Sequence, residues 1–319
     1  MAYGFNLDGF KDKDFVNQLH EMTMDFYSQG RTIDLIYNQP NNHNRDAINM
    51  FENNISLQDG STCTFDPKGE VLMEQKYVRV LPLKVNDLIC PKDLEKTFLS
   101  MMMTERNMLP ADFARKLAES YLVKIRRFVE IYLWNGIDAD GLQYDGLVKQ
   151  IADSNAVIDA SAEVESASTK IAKVNAMIAK MTADILESED VRIFCSTEFF
   201  LGYIQELISA NHYLMPETYN VGDPMKAELL IPGTNVRLTP VLGLDHITNV
   251  TKDDGEFLIL TYSKNLVASY DGLGDYEDFS MIVNPFEGNR LQVSADFKLG
   301  SALKWDSKII KGYTLVSAS

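Results

Sequence analysis

Residues 110–135 read PADFARKLAESYLVKIRRFVEIYLWN, and Gly136 follows at once. Phe113, Leu117, Tyr121, Ile125, Phe128 and Tyr132 recur at steps of four and three, with Leu122, Val129 and Leu133 beside them. That spacing predicts one long amphipathic helix whose broad apolar face packs on a core. Arg115, Lys116, Glu119, Lys124, Arg126, Arg127 and Glu130 fall to the opposite, solvated face. Pro110 suits a first helical turn, Asp112 complements the positive end of the helix dipole, and Gly136 is a natural stop. At 1.5 Å per residue the helix is roughly 39 Å long, well above the average for a globular domain.

Upstream of the helix the pattern is that of strands. Asp66-Pro67-Lys68-Gly69 carries Asp at i, Pro at i+1 and Gly at i+3, the residues of a type I turn, between short runs ending at Phe65 and beginning at Val71. This predicts a hairpin whose second limb continues through Tyr77–Leu81, where Pro82 argues against a central strand. Neither limb is apolar enough to anchor a core, and an isolated two-stranded hairpin is marginal in water, so it should pack on another surface. Residues 1 to about 50 read as a polar extended arm with one short helix at Phe15–Tyr27, lying against the body or a neighbouring subunit. A second short helix is expected from Pro91 to about Met103.

Downstream, Gly136 to Leu147 is rich in turn formers. Ile171, Val174, Ile178, Met181 and Ile185 mark a helix, Val191–Cys195 a strand, and Glu198–Ala210 a helix capped by Ser196 or Thr197. Beyond Pro216 strands dominate: Glu228–Ile231, Val236–Leu242, Phe257–Tyr262, Phe279–Val283, Leu291–Leu299 and Lys308–Leu315, punctuated by Gly and Asp. The fold class is α+β.

Composition narrows the function. The 319 residues, 45% hydrophobic and 24% charged, are enough for one large domain or two ordinary ones. A net charge of −16 disfavours tight phosphate binding, which needs Lys and Arg. Cys63, Cys90 and Cys195 are odd in number and far apart, against a disulfide framework or a thiolate metal site. The N-terminus has no signal-peptide pattern, and no run approaches the ~20 apolar residues of a membrane span, so a soluble protein made in the cytosol is expected.

Motifs for chemistry are sparse. His20, His43, His212 and His246 are scattered, and no metal or cofactor is expected. Gly272-Leu273-Gly274 follows no strand leading into a helix, and Asp271, Asp275, Glu277 and Asp278 would repel a phosphate. Asp138, Asp140 and Asp145 lack the twelfth-position Glu of a calcium loop. Cys195, between a strand and a helix, is the best single nucleophile candidate, although a buried structural thiol is the simpler reading.

The order of elements resembles the HK97 fold of tailed-bacteriophage major capsid proteins. The hairpin around Asp66-Pro67-Lys68-Gly69 stands where that family has its extended loop. Ala118–Asn135 with the turn Gly136–Leu142 is similar to its spine helix, Val191–Ser196 and the following helix to its axial domain, and Arg290–Ala302 to the strand returning beside the spine. The resemblance implies an N-terminal arm over 1–50, the extended loop over 51–90, a peripheral domain with the spine helix over 91–148, an axial domain over 149–275, and returning peripheral strands over 276–319.

It further implies a shell subunit, not an enzyme, that assembles with itself into hexamers and pentamers around DNA held without sequence-specific binding. The scaffolding domain of some relatives has no counterpart before the arm, which implies a separate scaffolding protein or prior removal of that segment; a separate scaffolding protein, a portal and decoration proteins are the implied partners. The location implied is the virion, with assembly in the host cytoplasm and no membrane. Lys68 and Lys76 sit where some relatives cross-link covalently, but no acidic catalyst or Asn partner is assignable and no cross-link is expected. The competing readings are an encapsulin-type nanocompartment shell and a soluble α+β enzyme using carboxylates or Cys195. The basic stripe Arg115, Lys124 and Arg127 would, in a shell, face the particle interior or meet a neighbouring loop. Phe128→Ala is expected to cost ~3–5 kcal/mol if Phe128 faces the core, and Lys68→Ala to leave the subunit folded, both readable by denaturant unfolding.

Overall fold

The computed structural model describes residues 31–61, 68–90, 110–139, 142–210, 228–247, 257–271, 279–284 and 290–313. In chain order the elements are α1 (Arg31–Leu35), β1 (Tyr37–Gln39), β2 (Arg45–Asn54), β3 (Glu70–Arg79), β4 (Leu81–Ile89), α2 (Pro110–Asn135), β5 (Gly136–Ala139), β6 (Leu142–Asp145) and α3 (Leu147–Asp153). There follow β7 (Ile158–Asp159), α4 (Ser161–Ser166), α5 (Lys170–Ala179), α6 (Ala183–Leu186), β8 (Val191–Cys195), α7 (Thr197–Ser209), β9 (Leu229–Leu230), β10 (Arg237–Pro240) and α8 (Leu242–Asp245). The last strands are β11 (Phe257–Tyr262), β12 (Leu266–Tyr270), β13 (Phe279–Asn284), β14 (Arg290–Leu303) and β15 (Ile310–Tyr313).

Two sheets organise the chain. One has the order β1-β12-β14-β13, with β4 also paired to β14; the other runs β7-β15-β11-β8-β10-β9. β14 alternates: Leu291, Val293, Ala295, Phe297 and Leu299 turn into a core shared with Ala118, Leu122, Ile125, Val129 and Leu133 of α2. The six-stranded sheet is a wall between two cores, because successive strand residues face opposite sides. Phe194, Phe257 and Ile259 join the core of α2, whereas Ile193, Cys195, Leu258 and Leu260 join a second core with Val174, Met177, Phe199 and Tyr203 of α5 and α7. Ser196 caps α7 by accepting the Phe199 N–H at 3.2 Å.

The long helix spans Pro110–Asn135 as expected, but its buried face is rotated. Ala118, Leu122, Ile125, Val129 and Leu133 are buried; Leu117, Tyr121 and Tyr132 are half-buried, and Phe128 is 46% exposed. Neighbours on a helix stand about 100° apart, so once Val129 points inward Phe128 is carried to the rim, where it stacks on Tyr132 at 5.9 Å. Glu130, expected on the solvated face, is buried beside Val129. The side chain of Phe113 lies outside the described residues, as do the expected helices at Phe15–Tyr27 and Pro91–Met103 and the turn residues Asp66 and Pro67.

Other boundaries also move. The first limb of the hairpin is β2, so a division at residue 50 cuts a strand that pairs with β3 from Arg45↔Arg79 to Asn54↔Glu70. Pro82 sits within β4, which among the described residues pairs only with β14 and so has an edge that needs no Pro N–H. The turn-rich segment after α2 is a small ribbon, β5 with β6. Gly136 has φ +74, and a Cβ there would overlap the Tyr144 carbonyl. The helix expected through Ile185 breaks after α5, where Thr182 turns extended (ψ 160) and α6 restarts. β12, absent from the sequence reading, belongs to the five-stranded sheet, and β15 to the six-stranded one, so neither sheet matches a cut at residue 275.

Truncating the true inward face should therefore be the costly change. Leu133→Ala is expected to lose ~2–5 kcal/mol, whereas Phe128→Ala should lose only about 1 kcal/mol, read as paired urea-unfolding midpoints. Equal losses would contradict the rotated face.

Candidate assembly surfaces

The β2–β3 ribbon has two unlike faces because paired residues share a side. On the body side Ile48, Met50 and Val78 are buried against Val267 and Ala302, with Trp305 packed on them. On the other side Phe51 stands directly opposite Met73, 71% and 79% exposed, flanked by Val71 and Tyr77. Ile55 and Leu57, beyond the end of β2, are also exposed. This is the largest gathering of exposed large apolar side chains on one element among the described residues. Lys68 and Gly69 are exposed just before β3.

The base of the ribbon is fixed by Asn42, which is buried. Its side-chain N–H groups reach the Val78 carbonyl at 3.3 Å and Ser269 Oγ at 3.0 Å, and its backbone N–H donates to the Tyr270 carbonyl at 3.2 Å. Asn41 beside it takes φ 63, a left-handed conformation that Asn tolerates better than most residues. His43 pairs with Asp271 at 2.7 Å, and Asp271 also holds Lys298.

A second uncovered face lies along α2. Lys116, Ser120, Val123, Lys124, Arg127 and Phe128 are exposed at helical spacing, so the solvated stripe mixes cations with two large apolar groups. Arg115 pairs with Glu119 at 3.0 Å, and Arg127 lies 3.2 Å from His246 Nε2.

Behind this stripe Glu130 ties α1 to α2. Its carboxylate accepts the Thr32 backbone N–H at 3.1 Å and the Thr32 hydroxyl, while Trp134 Nε1 donates to the same hydroxyl at 2.9 Å. Burial pushes the Glu130 pKa above the usual carboxylate range, against the hydrogen bonds from Thr32 and the charge of Arg31.

The residues considered for chemistry are not brought together. Cys195 is fully buried, its thiol directed at the Thr239 carbonyl at 3.7 Å, while His43 and His246 have the partners just named. Cys90 is half-buried at the end of β4, and Cys63, His20 and His212 lie outside the described residues. Asp145 pairs with Lys149 at 2.5 Å. The densest ion cluster among the described residues is structural: buried Arg192 bonds Asp190 at 2.9 Å and Glu228 at 2.5 Å, tying β8 to the segment entering β9. Burial works to raise Asp190, but hydrogen bonds from Arg192 and Ser263 outweigh it and hold that carboxyl below the usual range. Among the described residues no group of His, Cys, Asp and Glu is arranged to hold a metal, and no helix is long and apolar enough to cross a membrane.

No protein-family model matches this chain, and no curated protein matches it. Solved structures do. A chain of the satellite phage P4 procapsid, in a structure that includes the size determination (Sid) protein, aligns over 99% of this chain and 94% of its own, with TM-score 0.54 and 10% identity. The capsid of an empty GTA particle aligns over 90% of each chain with TM-score 0.53 and 9% identity. Gordonia phage Cozz aligns over 91% and 87%, with TM-score 0.53 and 12% identity. At these identities the likeness is one of fold: the chain has the α+β fold of HK97-type phage capsid subunits.

The sequence reading missed the anchoring residues Asn42, Glu130 and Trp305, whose anchoring partners Ser269, Thr32 and Asn265 are distant in sequence. For Glu130 the sign of a pH effect is fixed. A carboxyl raised in the folded state supplies stability that is fully present below its unfolded pKa and is lost as pH rises through the folded value. Glu130→Gln, which keeps an acceptor for Thr32 and does not titrate, should therefore gain on the wild type as pH rises above the usual carboxylate range. Urea unfolding across that range checks it; a gap that stays constant with pH would contradict the assignment.

Proposed function

We propose that this chain is the major capsid protein of a tailed bacteriophage, a structural subunit and not an enzyme, which assembles with copies of itself into the pentamers and hexamers of an icosahedral head enclosing double-stranded DNA. The observation that carries the reading is the outward face of the β2–β3 ribbon. Phe51 and Met73 are opposed there and left in water on an element too thin to bury them, within a fold shared with capsid chains. Contiguous apolar surface on a ribbon calls for a covering partner. In a shell that partner is a second copy, and many such contacts, each weak, gain collectively through effective concentration.

The net charge of −16 fits a container that encloses DNA without gripping it. The subunit would be made in the host cytoplasm, assembled with a separate scaffolding protein and a portal, joined by decoration proteins, and reside in the virion.

Expression with and without a scaffolding protein, followed by sedimentation and negative-stain microscopy, tests the proposal. Shell-sized particles are expected; a small globular species under every condition would overturn it. DNA in particles from infected cells supports a phage head, and a protein cargo would point instead to a nanocompartment. Phe51→Asp and Met73→Asp should change subunit stability by no more than about 0.5 kcal/mol, the usual range for exposed sites, yet abolish particles. Intact particles from both variants would remove the ribbon face from the assembly surface.

A further inference from the structure

The ribbon is tied to the turn by which the chain crosses from one sheet to the other. β14 ends at Leu303 in the five-stranded sheet, β15 begins at Ile310 in the six-stranded sheet, and a short 3-10 turn, Asp306–Lys308, lies between them. That turn presents an acid and a base, and the ribbon presents the opposite pair, one from each strand. Lys76 Nζ of β3 lies 2.7 Å from Asp306 Oδ1, and Lys308 Nζ lies 2.9 Å from Glu52 Oε1 of β2. The four side chains are 34%, 25%, 19% and 42% exposed in that order, so neither pair is deeply buried. Each pair is worth little by itself. Together they hold both strands, and a slip of either strand by one residue would turn its charge to the far face.

The turn is itself held from both sides. Asp306 Oδ2 accepts the Ser154 hydroxyl at 3.0 Å at the end of α3, and the Lys308 carbonyl accepts Thr261 Oγ1 of β11 at 3.0 Å. Buried Asn265 bonds both the N–H and the carbonyl of Trp305, at 2.8 and 2.9 Å. Thr261 of β11 fixes the turn, at the Lys308 carbonyl, to the six-stranded sheet. Ser154 ties Asp306 to the end of α3, whose Gln150 bonds Ser301 of β14 and whose Ile151 and Ala152 carbonyls accept Lys311 of β15. The apolar base of the ribbon rests on the five-stranded sheet through Val267 and Ala302.

We infer that the Asp306–Lys308 turn is a coupling joint: a shift of the six-stranded sheet against the five-stranded one carries Asp306 and Lys308 with it and re-aims the β2–β3 ribbon through Lys76 and Glu52. The inference stands on contacts within one chain, so it is read on the unassembled subunit and its failure is distinct from a failure to form shells. Packed elements with two discrete arrangements pass on small shifts in this way, and a ribbon that is marginal alone follows whatever anchors it.

The test is hydrogen exchange of the β2 and β3 amides in the full-length chain. Asp306→Lys and Lys76→Glu should each speed exchange about 3- to 5-fold, the loosening expected when a partly exposed ion pair is reversed. The two together, which restore the pair with its signs exchanged, should bring the rate back to that of the wild type. Thr261→Val, altered on β11 at the side chain that bonds the Lys308 carbonyl, should speed the same ribbon amides. If Asp306→Lys fails to fold, Lys76→Gln, on the ribbon alone, takes its place and should also speed exchange. Unchanged exchange in the single variants, or no recovery in the double, overturns the latch; ribbon amides unmoved by Thr261→Val overturn the coupling.

Discussion

Trp134 is the side chain on which the arrangement turns. It is fully buried at the end of α2, packed on Phe194 of β8 at 5.4 Å and bonded to Thr32 of α1 at 2.9 Å. A Cβ on Gly243 of α8 would overlap its ring, so α8 approaches as closely as it does only because that residue is glycine. One indole thus joins the long helix, the six-stranded sheet, α8 and the segment that leads into the ribbon. Asn135 beside it donates to the Gly243 carbonyl at 2.7 Å, and Gly136 then ends the helix with a positive φ. The phase of α2 follows from this end. With Leu133 and Trp134 both inward, Val129, Ile125, Leu122 and Ala118 line up beneath them and Phe128 does not.

What the sequence made legible is what depends on local pattern. The limits of α2, the strands at Val191–Cys195 and Phe257–Tyr262, and the helix capped by Ser196 follow from periodicity, breakers and caps within a few residues. The phase of α2 was harder, because apolar residues occupy well over half its circumference and only the partners select which of them point inward. Phe128 and Val129 are equally plausible by pattern; Phe194 and Gly243, far away in sequence, decide between them. β12 was illegible for a related reason. Leu266 to Tyr270 are all buried between β1 and β14, so no alternation marks them.

The anchoring polar groups were beyond reach altogether. Glu130 sits in a helix whose other described charges are exposed or partly so, and the N–H and hydroxyl of Thr32, 98 residues earlier, with the charge of Arg31 beside them, make its burial tolerable. Asn42 meets Ser269 across 227 residues. The ribbon was expected with a first limb ending at Phe65, yet its first strand is Arg45–Asn54 and begins inside what read as a polar arm, because half of that strand faces solvent and carries polar residues. The candidate surface on it depends on register: pairing Phe51 with Met73 is what gathers the apolar groups on the side away from the body.

The central claim is that this outward face is covered by another copy of the chain. Its most direct test is the reactivity of a single thiol introduced as Met73→Cys, measured toward a bulky maleimide in purified subunits and in assembled particles, with Cys63 and Cys90 replaced by Ser and Cys195 left buried. The account predicts rapid labelling in the free subunit and strong protection in the particle. Equal labelling in both states would contradict it.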